Sequence, residues 1–123
     1  MNKTIRFVSA LALVAVAVVA PARNAFAGDV DGAQFALRRV APESSNFYDL
    51  VLKGGEATWV YVVGNGNTDL DCTLLNADGY KVASDTDSTD SCLLEVTPRW
   101  ASTYRLRVQN LGDAFNVYVV STN

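Results

Sequence analysis

The chain has no histidine, and only two cysteines, one methionine and three prolines in 123 residues. Without an imidazole there is no His-activated serine or cysteine nucleophile, and the common zinc spacings lose half their ligands. No apolar run reaches the roughly twenty residues that a membrane-spanning helix needs. The longest, Phe7–Ala20, has fourteen residues and is interrupted by Ser9. Positive charge is also scarce, with ten Lys and Arg against thirteen Asp and Glu. These absences exclude most hydrolase and zinc chemistries and leave little to attract a phosphate backbone.

The first 27 residues have the three-part order of a secretory leader: Lys3 and Arg6, the apolar run, then Ala25-Phe26-Ala27 with small residues where a signal peptidase reads. Cleavage is expected after Ala27. The next residue is Gly28, so lipid attachment at the new N-terminus is not expected. Lys3, Arg6 and Arg23 leave with the leader, so residues 28–123 keep seven basic residues against thirteen acidic, a net charge of −6. That balance disfavours nucleic acid and anionic lipid as partners, and the processed chain is expected in the periplasm or outside the cell.

Cys72 and Cys92 enter an oxidising compartment as the one possible pair, and a structural disulfide is the expected outcome. A redox pair would be spaced Cys-x-x-Cys at a helix start, and metal thiolates would need further ligands.

From Phe47 onward apolar residues recur with period two, the signature of strands. Leu70, Cys72 and Leu74 share a face, as do Cys92, Leu94 and Val96, and Tyr104, Leu106 and Val108 alternate with Arg105, Arg107 and Gln109. Gly54-Gly55 and Asp78-Gly79 suit tight hairpins. Gly64-Asn65-Gly66-Asn67, Asp85–Asp90 and Asn110–Asp113 read as polar loops. Short strands at this spacing predict a small antiparallel β-sandwich over residues 45–123. Residues 28–44 are less defined, and Gly32–Val40 fits helix or extended chain equally.

Trp59, Tyr61, Tyr104 and Phe115 fall in register with inward aliphatics and are expected in the core. Trp100 beside Arg99, and Tyr80 beside a turn, do not alternate with a strand. Trp100, Tyr80 and Arg99 are therefore the candidate ligand-binding residues, able to stack on a sugar or anchor a protein. The competing reading is that Trp100 caps one end of the core. Asp69, Asp71, Asp85 and Asp87, with Asp90, form the only acidic cluster dense enough to consider for calcium, and Asp29 and Asp31 are a weaker second pair. The string from Asp85 fails as an EF-hand loop: Asp90 stands where glycine is required and Val96 where the bidentate glutamate belongs. Asp69 and Asp71 have nothing apolar around them to tune acid–base chemistry, so no catalytic residue is assigned.

The order of segments is nonetheless specific. Phe47–Glu56 is followed by an apolar strand, then Asp69–Leu75, Asn76–Asp85, Tyr104–Val108 and Val117–Val119. Over residues 45–121 this resembles the bacterial pre-peptidase C-terminal (PPC) domain family, relatives of collagen-binding modules attached to secreted peptidases. The resemblance implies a jelly-roll-like β-sandwich and a non-catalytic accessory role, sometimes with bound calcium. The chain departs from the family pattern in three respects. No peptidase is expected ahead of the domain, Trp100–Thr103 stands where a glycine usually precedes the penultimate strand, and the cysteine pair is additional. The function expected is that of an exported binding or accessory module for a protein or glycan. The alternative is a structural or stress-related envelope protein.

The acidic cluster reads more simply as a solvated loop that blunts a sheet edge. Millimolar calcium is accordingly expected to leave the melting temperature unmoved. A rise that is abolished by EDTA and by Asp69→Ala/Asp71→Ala would mark a metal site instead.

Overall fold

The computed structural model describes Asp29 and residues 32–123. The leader, its cleavage site and Asp31 lie outside the described residues. Eight strands follow in order: β1 (Gln34–Val40), β2 (Ser45–Leu52), β3 (Thr58–Val63), β4 (Leu70–Leu75), β5 (Lys81–Asp85), β6 (Ser91–Val96), β7 (Ser102–Asn110) and β8 (Asn116–Thr122). Sheet I has the order β1-β8-β3-β6 and sheet II the order β2-β7-β4-β5. All pairings are antiparallel. The pairs β1/β8, β2/β7, β3/β6 and β4/β5 nest within one another, so the chain folds as a jelly roll. Within residues 32–40, which the sequence left between helix and extended chain, Gln34–Val40 is extended: β1 pairs along its whole length with β8.

Only β4 and β5 form a hairpin within one sheet, where Gly79 (φ 88°) takes the left-handed conformation that favours glycine. Gly54-Gly55 does not form the expected hairpin. It carries the chain from β2 in sheet II to β3 in sheet I, because Leu52 and Thr58 belong to opposite layers. Gly54 also passes so close to the β6–β7 connection that a Cβ there would lie 2.5 Å from the Trp100 Cα.

Side chains from both sheets fill one interior. Tyr48, Leu50 and Leu52 of β2, Leu70 and Leu74 of β4, and Leu106 and Val108 of β7 meet Ala36, Val40, Val60, Val62, Leu94, Tyr118 and Val120 of sheet I. Cys72 on β4 and Cys92 on β6 are buried and joined by a disulfide, their Cα atoms 6.2 Å apart. The bridge links facing strands and therefore ties the two sheets together. On the other flank, the buried hydroxyls of Tyr48 and Tyr118 hydrogen-bond to each other across the sheets. Asn46 Nδ2 donates to the Tyr118 hydroxyl at 2.8 Å. Burial pushes the pKa of both phenols above the ordinary tyrosine range.

Two buried asparagines secure the loops at the end of the sandwich where β1 turns into β2. Asn110 Nδ2 donates to the carbonyls of Ala41 and Ala114, and its Oδ1 accepts from the Gly112 N–H. Asn116 Nδ2 donates to the Thr68 carbonyl while its Oδ1 accepts from the Asn65 N–H. The remaining loops, β2–β3, β4–β5 and β6–β7, lie at the opposite end.

The expectation that Trp59, Tyr61 and Phe115 are core residues is corrected. They are 42, 48 and 45 % exposed, and only Tyr104 of that set is buried. The inward face of β3 is Thr58, Val60 and Val62, and that of β8 is Asn116, Tyr118, Val120 and Thr122. Both strands are apolar on two faces, so period two alone did not tell which face turned inward.

Gly54→Ala is expected to destabilise the fold by about 2 kcal/mol, since the new methyl meets backbone that cannot move cheaply. Cys72→Ala/Cys92→Ala should cost about 3 kcal/mol through the roughly twenty-residue segment the bridge closes. Urea unfolding checks both, and wild-type stability of Gly54→Ala would show that the β6–β7 connection yields.

Candidate functional site

Each strand of a two-layer sandwich has one face to bury, and the outward faces of the two sheets differ in kind. Sheet II turns Asp49, Arg105, Arg107, Gln109, Asp71 and Thr73 to solvent. Arg105 Nε bonds Asp49 Oδ1 at 3.1 Å, and Arg107 Nε donates to Ser45 Oγ. That face is a hydrated polar surface with Phe47 as its one exposed ring, lying under the Arg105 guanidinium.

Sheet I turns out a nearly continuous apolar field, laid out in rows by the register of its strands. Phe35, Ser121, Tyr61 and Leu93 lie side by side across β1, β8, β3 and β6. Leu37, Val119, Val63 and Ser91 form the neighbouring row. Beyond it come Arg39 and Val117, with Phe115 just before β8; at the other end of the field Trp59 pairs with Glu95. Phe35, Leu37, Trp59, Tyr61, Leu93 and Phe115 are each between 42 and 60 % exposed. Arg39 and Glu95 carry the only charges on this face among the described residues, and the Arg39 guanidinium stacks over the Phe115 ring at 4.2 Å. Large apolar side chains standing contiguously in this way differ from the singly scattered ones of an ordinary surface.

The residues singled out from the sequence lie elsewhere. Trp100 and Tyr80, 68 and 71 % exposed, sit on the β6–β7 and β4–β5 connections, at the same end of the sandwich, with Arg99 exposed beside Trp100. The Trp100 backbone packs on Gly54, while its ring stands in solvent. The sequence reading places Trp59, Tyr61 and Phe115 in the core and singles out neither Leu37 nor Leu93 as part of a site. Part of the signal was present: β3 and β8 are apolar on both faces, whereas a strand of an antiparallel sheet with one wet side shows alternation.

The acidic residues are drawn near one another, but several are already engaged. Asp85 Oδ2 accepts from the Leu93 N–H at 3.0 Å and so caps the edge of β6. Asp87 Oδ1 accepts from Thr89 N and Oγ1, and those bonds hold its carboxyl below the usual carboxylate range. Asp90 Oδ2 accepts from Gly66 N and from Asn116, locking the β3–β4 loop. Asp69 and Asp71 each keep one oxygen out of solvent without a hydrogen bond. Burial, then the charges of Asp69, Asp87 and Asp85, raise the Asp71 pKa. No three acidic or thiol groups converge at metal-ligand spacing among the described residues.

No family model matches the chain, and no curated protein matches it. Among solved structures it is similar to the pre-peptidase C-terminal domain of a collagenase from Bacillus anthracis. The TM-score is 0.58 at 10% identity, and the match covers 73% of this chain and 88% of that one. At that identity the likeness establishes a shared fold, the small β-sandwich of a pre-peptidase C-terminal domain.

A raised Asp71 pKa means the folded state holds that proton more tightly than the unfolded chain. Its ionisation therefore costs stability as pH rises through the carboxylate range, and costs nothing once the group is protonated at low pH. Asp71→Asn is expected to stabilise the protein at pH 7 by about 0.5 kcal/mol, a value discounted for solvent screening, and to be neutral at pH 3. Urea titrations at the two pH values check this, and equal effects at both would refute the electrostatic origin.

Proposed function

We propose that this chain is an exported, non-catalytic binding module that engages a protein partner through the outer face of sheet I. One observation carries the reading: Phe35, Leu37, Trp59, Tyr61, Leu93 and Phe115 form a contiguous exposed field on a rigid, disulfide-tied sheet. A sheet face positions such groups without the entropy cost of ordering loops on binding. Aromatic and leucine anchors surrounded by valines suit the dehydrated centre of a protein–protein contact. A glycan site needs polar groups to meet hydroxyls, and this face supplies few, chiefly Ser91, Ser121 and the Tyr61 hydroxyl. A protein partner is therefore preferred over a sugar.

Three further observations support the reading. The fold is shared with the pre-peptidase C-terminal domain of a collagenase. The leader-like N-terminus and the disulfide both fit an oxidising compartment outside the cytoplasm. The chain has no histidine and no free thiol among its described residues.

Immobilised wild-type protein is expected to retain partners from envelope extract, and Trp59→Ala/Tyr61→Ala to lose at least ten-fold in retention with its circular dichroism unchanged. Trp100→Ala/Tyr80→Ala should retain them. The reverse ranking would move the site to the β4–β5 and β6–β7 end, and no effect of either pair would reject a binding role for both surfaces.

A further inference from the structure

We infer that the partner seated on the outer face of sheet I is a second copy of this chain, in a two-fold, face-to-face dimer. This rests on the reading of that face as a binding surface and names its occupant.

The first argument is area. Eight large apolar side chains on this face (Phe35, Leu37, Trp59, Tyr61, Val63, Leu93, Phe115 and Val117) are each 37 to 60 % exposed. Together they leave on the order of 800 Å² of apolar surface in water, given the 150–250 Å² that an aromatic side chain can bury. The largest patch on an ordinary monomer is about 300–600 Å², and a stable interface takes about 800 Å² from each partner. The face is thus the size of one half of a complete interface. Its two middle rows are mostly apolar, and apolar sheet faces pack on one another.

The second argument is charge. A two-fold interface must be its own complement, because the same patch supplies both halves. The two charges on this field are opposite in sign and stand at diagonal corners. Arg39 lies on the β1 edge near the β1–β2 turn, pinned over Phe115, and Glu95 lies on the β6 edge at the far end, beside Trp59. Three strand spacings across and three rows along put them about 24 Å apart. A two-fold axis lying in the plane of the face, through the midpoint of that diagonal and perpendicular to it, sets Arg39 of each copy over Glu95 of the other. Both ion pairs then form at once, and the strands of the two sheets cross steeply. Near the axis, Tyr61 of each copy then lies over Val119 of the other, within the ring those pairs close. The outer face of sheet II, with Asp49 on its edge strand β2 beside Arg105 and Arg107 on β7, has no such arrangement.

Sedimentation equilibrium on wild-type protein recovered from the periplasm of an expression host tests this, with no other protein present. Wild type is expected at twice the monomer mass in the micromolar range. Leu37→Glu is expected at the monomer mass with an unchanged circular dichroism spectrum. Arg39→Glu and Glu95→Arg, each placing like charges opposite one another at two symmetry-related points, should weaken the dimer about ten-fold. The double variant Arg39→Glu/Glu95→Arg should restore it. A wild-type chain that stays monomeric at 100 µM (about the upper range for a specific weak dimer) overturns the dimer. If retention of envelope proteins is then still lost in Trp59→Ala/Tyr61→Ala, the binding-module reading stands and only the identity of the partner is wrong. A dimer that the single charge changes weaken and the double change fails to restore overturns the two-fold arrangement.

Discussion

A two-layer sandwich encloses a single interior, so each strand can bury one of its two faces and must leave the other outside. Most of what is distinctive about this protein follows from that limit acting on strands with unequal faces. In β7 the choice is easy, since Tyr104, Leu106 and Val108 oppose Arg105, Arg107 and Gln109. In β3 and β8 both faces are apolar. Burying Val60, Val62, Tyr118 and Val120 leaves Trp59, Tyr61, Val63, Val117 and Phe115 on the surface. The exposed field is the consequence of a two-layer architecture given more apolar strand surface than it can enclose. Its cost in water is the driving force on which the proposed contact would draw.

The same limit makes the joint between the layers important. A sandwich of this size has a modest core, and its two sheets share no backbone hydrogen bonds across the interior. Two side-chain links hold the layers in fixed relation. The Cys72–Cys92 bridge lies toward the β5 and β6 flank, and the Tyr48–Tyr118–Asn46 hydrogen bonds lie toward the β1 and β2 flank. Each is buried, and each joins a strand of sheet I to one of sheet II. Asn110 and Asn116 then tie the loops at one end to strand termini, so three crossings between layers are held by amide side chains. In the proposed contact, rigid presentation of the outer face rests on these links, because a surface gains affinity when it need not be ordered on binding.

The acidic residues illustrate how local pattern and tertiary role separate. In the sequence, Asp85, Asp87 and Asp90 look like ligands waiting for an ion. In the fold, one caps a neighbouring strand edge, one closes a turn on Thr89, and one fastens the β3–β4 loop. Carboxylates accept backbone N–H bonds at turns and strand ends for the same reason they bind cations, so composition alone does not distinguish the two uses.

The sequence by itself determined that the chain from Phe47 is built of strands, that the layers are antiparallel, and that Cys72 and Cys92 lie inward as a pair. Those properties are local: a side chain's place in a period-two alternation, a turn residue, a cysteine in step with buried leucines. It also carried the order of segments that resembles a pre-peptidase C-terminal domain. Only the tertiary structure decided that Gln34–Val40 is an edge strand, that Gly54-Gly55 crosses between layers, and which side of β3 and β8 faces water. The physical reason is the same in each case. Pairing partners and layer membership are set by residues far apart in the chain, and a strand apolar on both faces has no inward side until a second sheet covers one of them.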